Sequence, residues 1–278
     1  MLKSIVVAVD ASPSSVEAEK LALAIADSHG SRLVGIGVLD TPFFTQPMAR
    51  PMGAGAYKEH RDETLVNAAR ERLEARLKEF EAACTAAGAA YGAVEAEGVP
   101  HKLIEAEADR HDLIVIGRET NFHGVEKHDI ADVVQRLLHD NPRPVVMVPP
   151  APLSGERVVV AFDGSRESSR AMHMYILLGL AKGQEAHVVS IAADRAAARE
   201  TAAKGAGLFR SHGFEAEAHG IAARGNPADA ILSQVESMNA GMLVMGAFGH
   251  HNLVHNILVG SATRRLLHDC PAPVFVHH

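Results

Sequence analysis

The chain has 278 residues, 47% of them hydrophobic but only 4% aromatic, so its interior is built from Ala, Val, Leu and Ile, which favours alternating strands and helices over an all-β sandwich. A formal net charge of −7 without a local basic stripe argues against nucleic acid as a partner. No apolar run reaches the roughly 18 residues of a bilayer span, no signal-like segment opens the chain, and Cys84 and Cys270 lie far apart without a CxxC spacing, so a soluble cytoplasmic protein with neither disulfides nor a zinc knuckle is expected.

Short continuous runs of Val, Ile and Leu read as strands covered on both faces and therefore parallel. They fall near residues 4–9, 33–38, 91–96, 113–117 and 145–148, and again near 157–162, 186–191, 214–219, 242–246 and 274–277. A helix begins after Ser12, with Pro13 at its first position. The stretch from Thr41 to Tyr57, with three prolines, reads as a long loop. A helix over about 62–87 places Leu65, Ala69, Leu73, Leu77, Phe80 and Cys84 on one face. The Pro-rich segment from Pro149 to Glu156 reads as a stiff linker, dividing the chain into domains 1–149 and 156–278.

The two halves repeat one another. Ile5-Val-Val-Ala-Val-Asp10-Ala-Ser matches Val158-Val-Val-Ala-Phe-Asp163-Gly-Ser at an offset of 153 residues. Leu113-Ile-Val-Ile-Gly117 matches Met242-Leu-Val-Met-Gly246, and the Arg136 to Val146 block matches Arg265 to Phe275, both at an offset of 129. Three matched blocks in one order indicate a tandem duplication. Strand–helix alternation makes each copy an α/β, doubly wound domain.

The second copy carries the chemistry. Gly246-Ala-Phe-Gly249 follows the apolar run Met242–Met245, and Gly260-Ser261 opens a helix from Ala262 to His268. Glycines leave backbone N–H groups uncovered, and amides at a helix start form an anion site for which phosphate is the first candidate.

These blocks resemble the universal stress protein family in its tandem two-domain form, over essentially the whole chain. The family's nucleotide-binding members share Gly, two residues, Gly, nine residues, then Gly with Ser or Thr. Here ten residues separate Gly249 from Gly260-Ser261, one more than that spacing. The resemblance implies a five-stranded parallel sheet of order 3-2-1-4-5 flanked by helices in each domain, with a ligand crevice at the carboxyl ends of strands 1 and 4. It also implies roles. Asp163 would hydrogen-bond the adenine or ribose edge, Ile191 would pack on the adenine face, and Met245 and Gly246 would let base and ribose approach the backbone. Gly249 and His250 would meet the phosphates, and Gly260, Ser261 and Ala262 would offer amides and a hydroxyl. In the first copy Gly117 remains, but Thr120 stands for Gly249, and Ala131 and Asp132 for Gly260 and Ser261. An aspartate there repels phosphate, so that copy is expected to bind no triphosphate, although Asp10 and Val38 keep the base-side positions.

The reading is an adenine-nucleotide-binding stress-response regulator with ATP or AMP in the second domain. ATP is expected to bring Mg2+, because no P-loop lysine is present. No catalytic residue is assigned. The alternatives are a ligand-free interaction scaffold, which the extra residue in 250–259 favours, and a slow Mg2+-dependent ATPase. The protein partner is not named by the sequence. Val274–Val276 is expected to pair with Val145–Met147, as in dimers of single-domain relatives, and a homodimer is considered. Among 17 histidines, His250, His251 and His255 are read as solvated loop residues rather than a metal site, and His277-His278 as a frayed terminus. His139 and His268 occupy equivalent helix-end positions. Gly35-Ile-Gly37 lacks the third glycine of a dinucleotide fingerprint.

Overall fold

The computed structural model describes residues 2–46, 55–124, 130–246 and 261–278, which form two compact units. The unit Lys3–Leu137 contains β1 (Ser4–Ala8), α1 (Pro13–His29), β2 (Arg32–Leu39), the one-turn α2 (Thr41–Phe44), α3 (Gly55–Ala86), β3 (Tyr91–Glu97), α4 (Pro100–Ala108), β4 (Leu113–Gly117) and the first part of α5 (Asp132–Asp140). Its strands pair in parallel in the order β3-β2-β1-β4. The second unit comprises Met1–Leu2 and Leu138–His278. It contains β5 (Val145–Val148), β6 (Arg157–Ala161), α6 (Arg166–Leu178), β7 (Glu185–Ala192), α7 (Arg195–Ser211), β8 (Ala216–Ala222), α8 (Pro227–Ser237), β9 (Met242–Gly246), α9 (Ser261–Asp269) and β10 (Val274–His277). Its parallel strands run β8-β7-β6-β9-β10. Both repeats carry the strand order 3-2-1-4-5.

Val145, Val146 and Met147 of β5 pair with Val276, Phe275 and Val274 of β10, as the family resemblance implies, and the pairing is antiparallel. This pairing draws β5 into the second compact unit, so the units divide at 137/138, upstream of the Pro-rich linker. Val146 and Phe275 are fully buried at the centre of the ladder, and Tyr175 of α6 packs edge-on against Phe275 at 5.2 Å.

Local rules account for the helix starts. The Ser12 side chain accepts from the Ser15 amide, Pro13 opens α1, and Gly30 ends it at φ +62°, the left-handed region that glycine enters with least strain. Ser165 caps α6 in the same way. The stretch 41–57 differs from the expected loop. Asp40 caps α2 through the Phe43 amide, and α3 already begins at Gly55; residues 47–54 lie outside the described set. On α3, Ala69, Leu73, Leu77, Phe80 and Cys84 are buried, whereas Leu65 is exposed.

Gly35 and Gly37 are seats for α3. A Cβ on Gly35 would stand 2.5 Å from the Phe80 ring, and one on Gly37 would stand 2.3 Å from a Leu73 methyl. Both cysteines are buried, as apolar fillers are, and burial pushes Cys84 up to about 11. On the other repeat, Gly220 of β8 sits under α7, where a Cβ would meet the Arg199 backbone nitrogen at 2.3 Å. A helix backbone cannot give way as a side-chain end can, so Gly220→Ala should lower stability by about 1–3 kcal/mol, read as a reduced urea midpoint at unchanged slope.

Candidate functional site

The ends of β6 and β9 meet at the point where strand order reverses in the second repeat. Ala161 pairs with Met245, so Asp163 and Gly246 emerge at the same carboxyl edge. Gly246 lies directly on the first turn of α6. A Cβ there would stand 2.5 Å from the Glu167 carbonyl carbon and the Ser168 nitrogen. Ser168 Oγ in turn donates to Asp163 Oδ1 at 2.7 Å, and the Ser165 amide donates to the same oxygen at 2.9 Å. Burial works against the charge on Asp163, but the hydrogen bonds from Ser165 and Ser168 hold its carboxyl below the ordinary carboxylate range. Asp163 is exposed, and among the described residues Oδ2 accepts no hydrogen bond from the protein.

The other expected site residues are placed as follows. Ile191 is half-buried near the end of β7. Met245 is buried within β9, between Ala161 and Val276. Ser261 and Ala262 open α9, Ser261 exposed and Ala262 half-buried. Gly249, His250 and Gly260 lie outside the described residues, as do His251 and His255. The structure therefore brings Asp163 and Gly246 together through Ser168.

The first repeat has the same frame with its crevice filled. Gly117 packs on the first turn of α1, where a Cβ would meet the Ser14 carbonyl carbon and the Ser15 nitrogen at 2.5 Å. Asp10, the counterpart of Asp163, is buried. Its Oδ1 accepts from the Ser12 amide at 3.0 Å and the Ser12 hydroxyl at 2.5 Å, and its Oδ2 from the Asn121 and Phe122 amides at 2.9 and 3.2 Å. The neighbouring amides are also spent: Glu119 on Ser14 Oγ, Thr120 on the Gly117 carbonyl, His123 on Asn121 Oδ1 and Ala131 on the Arg118 carbonyl. A carboxylate of the chain thus takes the donors that an external anion would need.

His123 extends the closure. It hydrogen-bonds Asp40 Oδ2 at 2.6 Å and stacks on Phe43 at 3.6 Å, tying the segment after β4 to α2 at the end of β2. Beneath it, Arg76 of α3 donates to the Asp10 carbonyl oxygen at 3.0 Å and pairs with the buried Glu19 at 2.6 Å. Burial pushes the Glu19 carboxyl up, and Arg76 partly offsets that. Sequence reasoning missed Arg76 and His123, because their partners lie 66 and 83 positions away and no local pattern marks them. The Asn121 turn at least carries a local signal, since Asn favours the side-chain-to-backbone bonds it makes here.

His277 departs from the expected frayed terminus. It is the last residue of β10, pairs with Gly246, and is pushed down to about 4 by burial, by His278 and by Arg170. A cavity of about 660 Å³ lies elsewhere, at the amino ends of β6, β7 and β8, lined by Arg157, Glu185, Phe214 and Met238 among others. It is on the edge opposite Asp163, so it is not the switch-point crevice.

The universal stress protein family model matches residues 1–149 and again 155–278. The chain belongs to the universal stress protein family. A universal stress protein of Synechocystis, Slr1230, is 22% identical over 165 residues, which is 59% of this chain and 56% of that protein; the match thus spans about half the length of this curated relative. Among solved structures, a universal stress protein from Archaeoglobus fulgidus aligns over 99% of this chain and 97% of its own at 21% identity with a TM-score of 0.69. The functionally unknown protein PA1789 from Pseudomonas aeruginosa aligns over 99% and 92% at 20% identity with a TM-score of 0.60. A family protein from Arabidopsis thaliana, solved with AMP bound, aligns over 53% of this chain at 17% identity with a TM-score of 0.37. No helix among the described residues is long and apolar enough to cross a membrane.

Two consequences can be measured. Asp10→Ala strands the buried Phe122 amide and the half-buried Asn121 amide and should cost about 3 kcal/mol of stability, whereas Asp163→Ala, at an exposed carboxylate, should cost clearly less; chemical denaturation of the two variants checks the ranking. His277 stays neutral when folded but gains a proton when unfolded below about 6.5. Stability should therefore fall as pH drops from about 6.5 towards 4, and His277→Asn should flatten that slope in thermal melts.

Proposed function

We propose that this protein is a stress-response regulator that binds one adenine nucleotide per chain, ATP or AMP, at the carboxyl ends of β6 and β9. The supporting observation is the contrast between the two aspartates. Asp10 Oδ2 is taken by the Asn121 and Phe122 amides, while Asp163 Oδ2 accepts from no donor among the described residues, which do not include the counterpart positions 250 and 251. A carboxylate held ionised at a topological switch point suits the hydroxyl or amino edge of a nucleoside. The glycine motif, with Ser261 at the start of α9, would supply amides for the phosphates. In this reading Ile191 meets the base, Met245 and Gly246 line the approach, and Gly249, His250, Gly260, Ser261 and Ala262 surround the phosphates. Mg2+ would accompany ATP. A cytoplasmic location is part of this reading.

The ligand-free scaffold remains a second reading, favoured by one observation. Gly246 is already required by its contact with α6, as Gly117 is by its contact with α1, so neither glycine needs a ligand to explain it.

Acid extraction of freshly purified protein, followed by chromatography, separates these readings by what is released. Calorimetry with ATP and AMP should give about one site per chain, weakened roughly 10- to 100-fold by Asp163→Ala, which loses one charge-assisted bond to the ligand. Asp10→Ala should leave that affinity unchanged. Two equal sites per chain, or no binding at millimolar nucleotide, would overturn the proposal.

A further inference from the structure

The second repeat carries a cluster of histidines and carboxylates on a face of its sheet. His187 of β7 lies opposite Glu217 of β8 in the parallel register, and His219 lies two residues further along β8. Residues alternate across a sheet, so all three project from one face. It is the face away from α7, because Val188 and Gly220 meet α7 on the other side.

Three atoms converge there. His187 Nδ1 is 3.0 Å from His219 Nε2 and 3.7 Å from Glu217 Oε2, and His219 Nε2 is 3.5 Å from Glu217 Oε2. The point equidistant from the corners of that triangle is about 2.0 Å from each, the length of a zinc–nitrogen or zinc–carboxylate bond. From these distances we infer that His187, Glu217 and His219 form a binding site for a divalent transition-metal ion of the zinc class, with a fourth position open to water at the sheet edge.

Two further observations point the same way. His187 is 6% exposed, and its Nε2 is buried without a hydrogen bond. Glu185 Oε2 is 3.4 Å from that nitrogen. Metal coordination at Nδ1 would fix the proton on Nε2, within 3.4 Å of this carboxylate, the kind of outer partner that metal-bound imidazoles ordinarily have. The first repeat supplies the second observation. In the same register, His187, Glu217 and His219 correspond to Val34, Gly92 and Val94, none of which can ligate. The fold therefore needs no polar group at these positions, and the second repeat carries three. Glu217 is exposed and His219 half-buried, which leaves an entry path and room for water. An ion here would clip β8, the outermost strand of this unit, to β7.

Cobalt(II) is a direct probe, since its visible spectrum reports tetrahedral nitrogen and oxygen coordination. The full chain, stripped with chelator, should take up one equivalent of Co2+ with a tetrahedral spectrum that Zn2+ displaces, and Zn2+ should raise its melting temperature. His219→Asn and Glu217→Gln, both at partly exposed positions, should abolish the spectrum and the thermal shift while leaving the circular dichroism unchanged. Glu185→Gln should weaken binding by about 10–100-fold. A His251→Asn/His255→Asn double variant should bind as the parent does. The inference is overturned if the parent shows no tetrahedral band, if His219→Asn and Glu217→Gln retain it, or if the double variant loses it. Nucleotide binding has no part in these readouts, so their failure would leave the nucleotide reading untouched.

Discussion

In each repeat the strand-four glycine is seated on the first turn of the helix that follows strand one. Gly117 lies against Ser14 and Ser15, and Gly246 against Glu167 and Ser168, with no room for a Cβ in either case. That contact fixes how far the end of strand four stands from the start of the helix. The helix start in turn carries the serines that hold Asp10 or Asp163. A crevice at the strand reversal is thus a by-product of close packing, present whether or not anything binds there.

From this common frame the two halves diverge through their loops. In the first, the Asn121 and Phe122 amides fall on Asp10, and His123 reaches Asp40 beyond it. The polar groups that a ligand would satisfy are satisfied by the chain itself, as buried donors must be. In the second, β7 leads within a few residues into α7, capped by Asp194, with no counterpart of α2. Among the described residues Asp163 Oδ2 accepts no hydrogen bond. In the first repeat an internal carboxylate takes the donors at the strand reversal.

Much of the architecture was legible because it rests on short-range rules. Valine-rich runs bounded by turn residues mark buried parallel strands, and Ser12-Pro13 marks a helix start. The duplication fixes the order of elements in the second half from the first. The α2 turn was not legible, because a single turn capped by Asp40 has no periodicity to detect. Leu65 followed the helical spacing of its neighbours, yet it is exposed; spacing states which residues share a face, not how far along the helix that face is covered.

The sequence by itself determined the fold class, the repeat, and the placement of Asp163 and Gly246 at strand ends. These depend on residue type and periodicity, which neighbours along the chain express directly. Only the tertiary structure decided that Asp10 is already occupied, why Gly35 and Gly37 are glycines, and that His187, Glu217 and His219 share one small volume. Each of these depends on which residues the folded sheet makes neighbours, and strand register, not sequence spacing, sets those distances.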